Sequence, residues 1–107
     1  MDWETLCAEI ERRYAITPSE EVSLFLVGLN RMGYFPEGEE RTVKLNLIQL
    51  GTLVLLERAG YVREVGQDQD GWPQWERTRP LPSWKPAEQR AFLRKALIEY
   101  FAEIWEL

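Results

Sequence analysis

The sequence contains no histidine and a single cysteine, Cys7, among its 107 residues. Without histidine, the chain lacks the side chain that most often serves as general base and metal ligand near neutral pH. One cysteine cannot form an internal disulfide framework, and it suits a reducing compartment. The longest apolar run, residues 24–29, is far shorter than the ~20 residues that cross a bilayer. The acidic start Met1–Glu4 is unlike a signal peptide, so we expect a cytoplasmic protein without a membrane partner.

The sequence offers no motif that would hold a metal ion or a cofactor. Asp68 and Asp70 precede Gly71 as carboxylates precede the glycine of a calcium loop. The first ligand position would then be Gly66, which has no side chain, and the last would be the cation Arg77. There is also no glycine-rich phosphate loop and no Cys-x-x-Cys pair. We therefore predict no metal site and no cofactor.

Catalysis is not favoured either. Cys7 falls on the apolar face of a predicted helix and has no histidine to generate a thiolate, which favours a buried small hydrophobe. Paired carboxylates stay open as a third possibility, because the chain has 15 glutamates and three aspartates. Most of them fall on solvent-facing helix positions, as Glu99, Glu103 and Glu106 do. We assign no catalytic residue and expect a protein that is not an enzyme.

Hydrophobic spacing predicts a single α+β domain over residues 1–107, mainly α, with three helices, a β-hairpin and a long C-terminal helix. The predicted elements are helices over residues 2–15, 18–32, 42–59 and 86–106 and strands over residues 61–65 and 72–79. Asp2 is the expected N-cap of the first helix. A capping box from Thr17 to Glu20 should open the second helix, and Gly33 should end it.

The third helix is apolar on nearly all sides after Ile48, which predicts that it is the central helix. An isolated glycine in a helix interior costs about 1 kcal/mol relative to alanine. Gly51 therefore predicts a close crossing by another element. Leu53 and Leu56 are expected to lie in the core at this position.

The predicted second strand concentrates the residues most often found at binding hot spots. We predict a binding surface made by Trp72, Trp75, Arg77 and Arg79. Pro73 marks this strand as an edge, whose outer backbone groups are free to accept another strand. The arginines can donate to carboxylates of another copy, whose first 40 residues hold nine carboxylates against three arginines.

A purely structural interpretation of the same strand stays open at this point. Trp75, Arg77 and Arg79 share one face by the period of two. Trp75 would then pack the hairpin against the C-terminal helix. The two arginines would stack over indole rings or pair with Glu64.

Three helices followed by a hairpin is also the element order of a winged-helix domain, whose third helix enters the major groove of DNA. Only Lys44, Asn46 and Gln49 could present donors to bases there, and the net charge is −5. Nucleic acid is therefore the alternative partner. Our main expectation is a protein-interaction module that forms a homo-oligomer, because three helices carry apolar stripes wider than one neighbour requires.

Overall fold

The computed structural model describes residues 1–106, which form four helices and one antiparallel hairpin. The helices are α1 (Trp3–Tyr14), α2 (Glu20–Met32), α3 (Glu40–Arg58) and α4 (Pro86–Ile104), and the strands are β1 (Val62–Gln67) and β2 (Pro73–Arg77). The class is α+β and mainly α, which confirms the prediction. Within the described range, no helix combines the length and the apolar character that crossing a membrane requires.

The chain forms two compact units, and the boundary between them falls inside α2. Unit 1 holds residues 1–23 and the described residues from Ser83 onward, and unit 2 holds Leu24–Pro82. Unit 1 therefore contains α1 and α4, and unit 2 contains α3 and the hairpin. That the chain is one domain stays a prediction.

Unit 1 begins with the helix cap that the sequence predicts. The carboxylate of Asp2 accepts a hydrogen bond from the backbone N–H of Thr5 at 2.8 Å, and this bond lowers the pKa of the Asp2 carboxyl. Since an ionised acceptor binds an N–H more strongly, the cap stabilises α1 most when Asp2 is charged. The unit's buried apolar residues on α1 and α4 are Leu6, Ile10, Leu97, Tyr100 and Phe101.

The capping box predicted for α2 is wrong. The backbone N–H of Val22, at the start of the helix, donates a hydrogen bond to the hydroxyl of Ser19 at 3.0 Å and not to that of Thr17. The helix consequently begins at Glu20, two residues later than predicted. The Glu20 carboxylate does not reach back to the chain but accepts from Nε of Arg94 at 2.7 Å. A distant arginine thus outcompetes the local partner that the motif supplies.

In unit 2, α2 and α3 touch through their backbones at two glycines. A Cβ built on Gly51 would lie 2.0 Å from the carbonyl oxygen of Leu24, and one built on Gly28 would lie 1.9 Å from that of Leu47. Both distances are far below a van der Waals contact, so only glycine fits at either position. The close crossing predicted at Gly51 is present. Gly28, the matching glycine on α2, is also an isolated glycine inside a predicted helix, so the same reasoning applies to it although the prediction named only Gly51.

The face of α3 that packs in unit 2 follows helical spacing. Val43, Leu47 and Leu50 are buried and form one cluster, whereas Leu45 is 54% exposed. A strand would have placed Leu45 beside Val43 and Leu47 on one face, so the exposure of Leu45 reflects helical geometry. All residues from Leu47 to Leu56 except Gln49 are buried or half-buried, in line with a helix covered on nearly all sides.

The hairpin packs its tryptophans onto this cluster. β1 and β2 are antiparallel, with Glu64 opposite Trp75 and a bulge that leaves Val65 out of the ladder. Trp72 and Trp75 pack against the Val43, Leu47 and Leu50 cluster together with partly buried residues of α2 and α3, which are Phe25, Leu29, Met32 and Val54. The hairpin is thereby fixed to α3.

Leu53 and Leu56, expected in the core, are only half-buried, and the fully buried positions are their neighbours on the helix. We therefore predict that Leu47→Asp unfolds the protein. The residue is fully buried, so an unpaired charge there should cost several kcal/mol, comparable with the ~5–10 kcal/mol that holds a small protein folded. Thermal melting followed by circular dichroism measures the effect. Leu45→Asp, on the exposed face of the same helix, should melt within a few degrees of wild type.

A second prediction concerns the helix crossing. Gly51→Ala should destabilise the protein by about 2 kcal/mol or more, because the new methyl must displace the backbone of α2. For a chain of this length the melting temperature should fall by roughly 8 °C or more. Gln49→Ala is the matched control, since Gln49 is exposed on the same helix. Equal melting temperatures for the two variants would contradict the close crossing.

Candidate functional site

Trp75 has a structural role in this fold. Its ring is half-buried, and within unit 2 it packs against the α3 cluster. The indole Nε1 is enclosed and has no hydrogen-bond acceptor among the described residues. Leaving such a donor unpaired costs on the order of 1–3 kcal/mol. The packing of the ring must offset this cost.

Arg79 is also committed within its own unit. Its Nη2 donates to the carbonyl oxygen of Ala59 at 2.6 Å, and its guanidinium lies over the ring of Tyr61, 4.0 Å from the centroid. The carbonyl belongs to the C-terminal end of α3, where a cation is favourable. The stacking partner is therefore a tyrosine and not an indole, and Arg79 anchors the chain after β2 to α3.

Arg77, two residues earlier, is different. Its side chain is exposed and has no hydrogen-bond or ion-pair partner among residues 1–106. The alternative that an arginine of this strand pairs with Glu64 is wrong, because Glu64 pairs with Arg31 of α2. A guanidinium is a planar fork of donors that suits a carboxylate. Arg77 keeps all of these donors available.

The backbone of β2 also presents free groups at its outer edge. The N–H of Thr78 donates to the carbonyl of Tyr61 at 2.9 Å, which fixes the alternation of the ladder. Arg77 and Trp75 are the alternate residues, so their N–H and C=O groups point away from β1. No described residue bonds to these groups at the outer edge. The edge that Pro73 predicts is thus open to another strand.

Trp72 is held by the turn that joins the two strands. The carboxylate of Asp68 accepts the backbone N–H groups of Asp70 and Trp72, each at 2.9 Å. The N–H of Gly71 donates to the carbonyl of Asp68 at 3.1 Å, and Gly71 has a φ of +87°, which glycine adopts without strain. These bonds occupy the carboxylate of Asp68, one of the two aspartates in the calcium-like pattern. They also fix the backbone of Trp72, whose ring packs against the α3 cluster.

An open cleft lies beside Trp72, between the hairpin turn and the loop that follows α2. It encloses about 760 Å³ and is lined by Tyr34, Phe35, Pro36, Glu37, Gly38, Asp70 and Trp72. We call this the aromatic cleft. Tyr34 is 53% exposed and Phe35 is 45% exposed. The hydroxyl of Tyr34 reaches the carbonyl oxygen of Asp70 at 3.5 Å, which places the loop against the turn.

The rim of the aromatic cleft is acidic. Glu37 and Asp70 line it, and Glu39 and Glu40 follow directly in the chain. Lys44 hydrogen-bonds to Glu40 at 2.8 Å and lowers the pKa of that carboxyl, so this one carboxylate is already paired. Glu37 and Asp70 have exposed side chains without an ion-pair partner among the described residues. The cleft therefore combines exposed aromatic rings with unpaired negative charge.

A second, smaller cleft of about 390 Å³ lies between α3 and the hairpin. Asn46 and Gln49 line it, together with Asp68 and Asp70. Two of the three α3 residues considered for contacts to bases thus lie beside carboxylates, and the third, Lys44, is paired with Glu40. Such surroundings repel phosphates.

Sequence reasoning did not single out Tyr34 and Phe35. It placed both in a loop without periodicity, which is where the structure has them. Two aromatic residues in succession outside any helix or strand have no regular face to bury them, and this is the signal that could have identified them. Pro36, next in the chain, is buried and holds the loop against the unit.

In unit 1, a cleft of about 400 Å³ lies beside Trp3, Cys7 and Arg94. Cys7 is half-buried, and its burial raises the pKa of the thiol, so the reactive thiolate is less accessible than in a free cysteine. Among residues 1–106, no group of three or more acidic, cysteine or histidine side chains could hold a metal ion.

The contrast between the two arginines leads to a prediction. Arg79→Ala should lower the free energy of unfolding by about 1 kcal/mol, because it removes a hydrogen bond and a cation–π contact. Arg77→Ala, two residues earlier at the end of β2, should change it by less than about 0.5 kcal/mol. Denaturant unfolding of both variants measures the difference. Equal losses would show that Arg79 is not an anchor.

Comparison with known proteins adds no relative. No family model matches the chain, and neither a curated protein nor a solved structure matches it. On the surface of unit 2, an acidic aromatic cleft, a strand with a free edge and an unpaired arginine therefore form the candidate site.

Proposed function

We propose that this chain is a non-enzymatic protein-interaction module that self-associates through the surface formed by the aromatic cleft and the outer edge of β2. The exposure of Tyr34 and Phe35 beside Trp72 is the observation that carries the proposal. Aromatic side chains dominate the energetics of protein interfaces, because a large rigid surface leaves water at little entropic cost. A cleft lined by three such rings is a favourable place to bury a partner.

Charge supports a second copy as the partner. Arg77 is an unpaired cation on β2, and Glu37 and Asp70 are unpaired anions at the cleft. In a complex of two copies, the arginine of one can meet the carboxylates of the other. Complementary charges of this kind speed association and fix orientation more than they add affinity.

The open edge of β2 supports a protein partner in a second way. The outward backbone groups of Trp75 and Arg77 can pair with an extended segment, as a strand is added to a sheet. Main-chain bonds supply affinity, and the neighbouring rings supply selectivity. Of the four residues predicted from the sequence, Trp72 and Arg77 then belong to the binding surface, while Trp75 and Arg79 support it from below.

A nucleic-acid-binding protein of winged-helix type is the second candidate, and the exposure of Lys44, Asn46 and Gln49 on α3 is the observation in its favour. The carboxylates beside these residues weigh against it. Titration with duplex DNA at two salt concentrations separates the candidates, because affinity for phosphates falls steeply with salt. DNA binding with such a salt dependence would overturn the choice of a protein partner.

The proposal predicts that Arg77→Glu weakens self-association and leaves the fold intact. The variant replaces the unpaired cation by an anion that faces the carboxylates of the other copy. Light scattering after gel filtration gives the mass, and circular dichroism checks the fold. Lys95→Glu is the control, since it changes the net charge equally at an exposed position on α4.

A monomeric wild-type protein would overturn self-association. An effect of Lys95→Glu as large as that of Arg77→Glu would attribute the change to net charge, and it would overturn the assignment of Arg77 to the surface.

A further inference from the structure

We infer that the aromatic cleft of one copy takes up the proline-rich segment that follows β2 in a second copy. This segment, residues 77–87, has the sequence Arg-Thr-Arg-Pro-Leu-Pro-Ser-Trp-Lys-Pro-Ala. The inference rests on the proposed self-association and names the part of the partner that enters the cleft.

The proline-rich segment is exposed over residues 80–83, whereas Trp84 is half-buried and stacks on Phe92, and Pro86 begins α4. Residues 80–85 have neither helical nor strand structure, and Leu81 is 41% exposed. Each proline fixes its own φ near −65° and pushes the residue before it towards extended backbone. Lys85, before Pro86, has φ −70° and ψ 157°, close to the polyproline II conformation. The segment is therefore largely ordered before it binds, and docking costs it little conformational entropy.

The aromatic cleft has the chemistry that receives such a segment. Polyproline II segments bind in grooves lined by aromatic rings, between which prolines and intervening apolar side chains insert. Tyr34, Phe35 and Trp72 provide three rings around one open space. Pro80, Leu81 and Pro82 provide the apolar side chains that fill it. Before binding, the cleft and the segment each expose apolar surface to water, and binding buries it.

Charge favours the same pairing. The proline-rich segment carries three cations and no carboxylate, although the whole chain has a net charge of −5. The rim of the cleft carries Glu37 and Asp70, and no described cation pairs with either. One of the segment's cations, Arg79, is held by Ala59, so Arg77 and Lys85 are the cations available to the rim.

The occupant has to come from another molecule. Within one chain, Pro80, Leu81 and Pro82 are exposed, and the residues that line the cleft are confined to residues 34–38, Asp70 and Trp72. Each copy thus presents a donor segment and an acceptor cleft at the same time. Two copies that exchange segments satisfy both sites in one closed dimer with two identical contacts.

Sedimentation velocity of matched variants tests the inference. The cleft variant is Tyr34→Ala with Phe35→Ala, and the segment variant is Leu81→Glu, which adds an anion opposite an acidic rim. We expect each to raise the dimer dissociation constant roughly tenfold or more. The controls are Leu45→Ala and Val65→Glu, whose side chains are 54% and 53% exposed elsewhere on unit 2. These controls should leave the constant within about twofold of wild type.

Mixing the two defective variants gives a sharper test. The cleft variant retains an intact segment, and the segment variant retains an intact cleft, so a mixture can form one complete contact. We expect the mixture to associate more strongly than either variant alone. A mixture that stays as dissociated as its components would overturn the pairing.

A fluorescent peptide with the sequence of residues 77–87 tests the contact with wild-type protein, so the result does not depend on whether a variant folds. Fluorescence anisotropy should rise on binding, and a scrambled peptide of the same composition should bind at least roughly tenfold more weakly. Equal binding of the two peptides would reduce the effect to net charge and overturn the inference.

The outcomes separate the inference from the proposed function. A wild-type dimer that is weakened by the cleft variant but not by Leu81→Glu overturns the inference, and the proposed function stands. A dimer that is unaffected by both variants overturns the inference and also the assignment of self-association to the aromatic cleft. A wild-type protein that stays monomeric at the concentrations at which the peptide is tested overturns both.

Discussion

The backbone contact between α2 and α3 at Gly28 and Gly51 is the constraint on which unit 2 depends. At each glycine, a carbonyl of the facing helix occupies the space that a Cβ would need. Any other residue at these positions would push the two helices apart. This crossing fixes the α3 cluster that receives the two tryptophans of the hairpin. Gly33, with a φ of +82°, ends α2, and the loop with Tyr34 and Phe35 begins there. The crossing thus positions the cluster on which Trp72, one of the rings of the aromatic cleft, is packed.

Much of this fold could be predicted from the sequence, but the phase of α3 could not. Periodic spacing identified all six elements, and the cost of glycine inside a helix identified the crossing at Gly51. A helix that is apolar on nearly all sides has no dominant stripe, so its pattern does not say which leucines are enclosed. Leu53 and Leu56 were therefore expected in the core, whereas the structure buries Leu47 and Leu50 and leaves those two half-buried. Which leucines of α3 are buried is decided by the residues of α2 and the hairpin that pack against this helix.

The candidate site was predicted only in part, because local sequence patterns again do not reveal which residues meet in the fold. Arg77 and Arg79 are equivalent by the period of a strand, yet one is free and the other is bound. The carbonyl of Ala59 makes the difference, and it is 20 residues away in the chain. Tyr34 lies 36 residues before Asp70 of the hairpin turn, and no local pattern connects it or Phe35 to Trp72. Contacts of this range arise from the fold and not from spacing.

The anchor at Arg79 gives the proline-rich segment a fixed origin. Because its guanidinium is held by the end of α3 and by Tyr61, the chain leaves the hairpin at a defined point. Proline restricts the next residues to extended backbone, so Leu81 is displayed with few alternative conformations. Binding loses less entropy when a segment is fixed in advance in this way. An arginine that contributes to stability can therefore also contribute to recognition, without touching the partner itself.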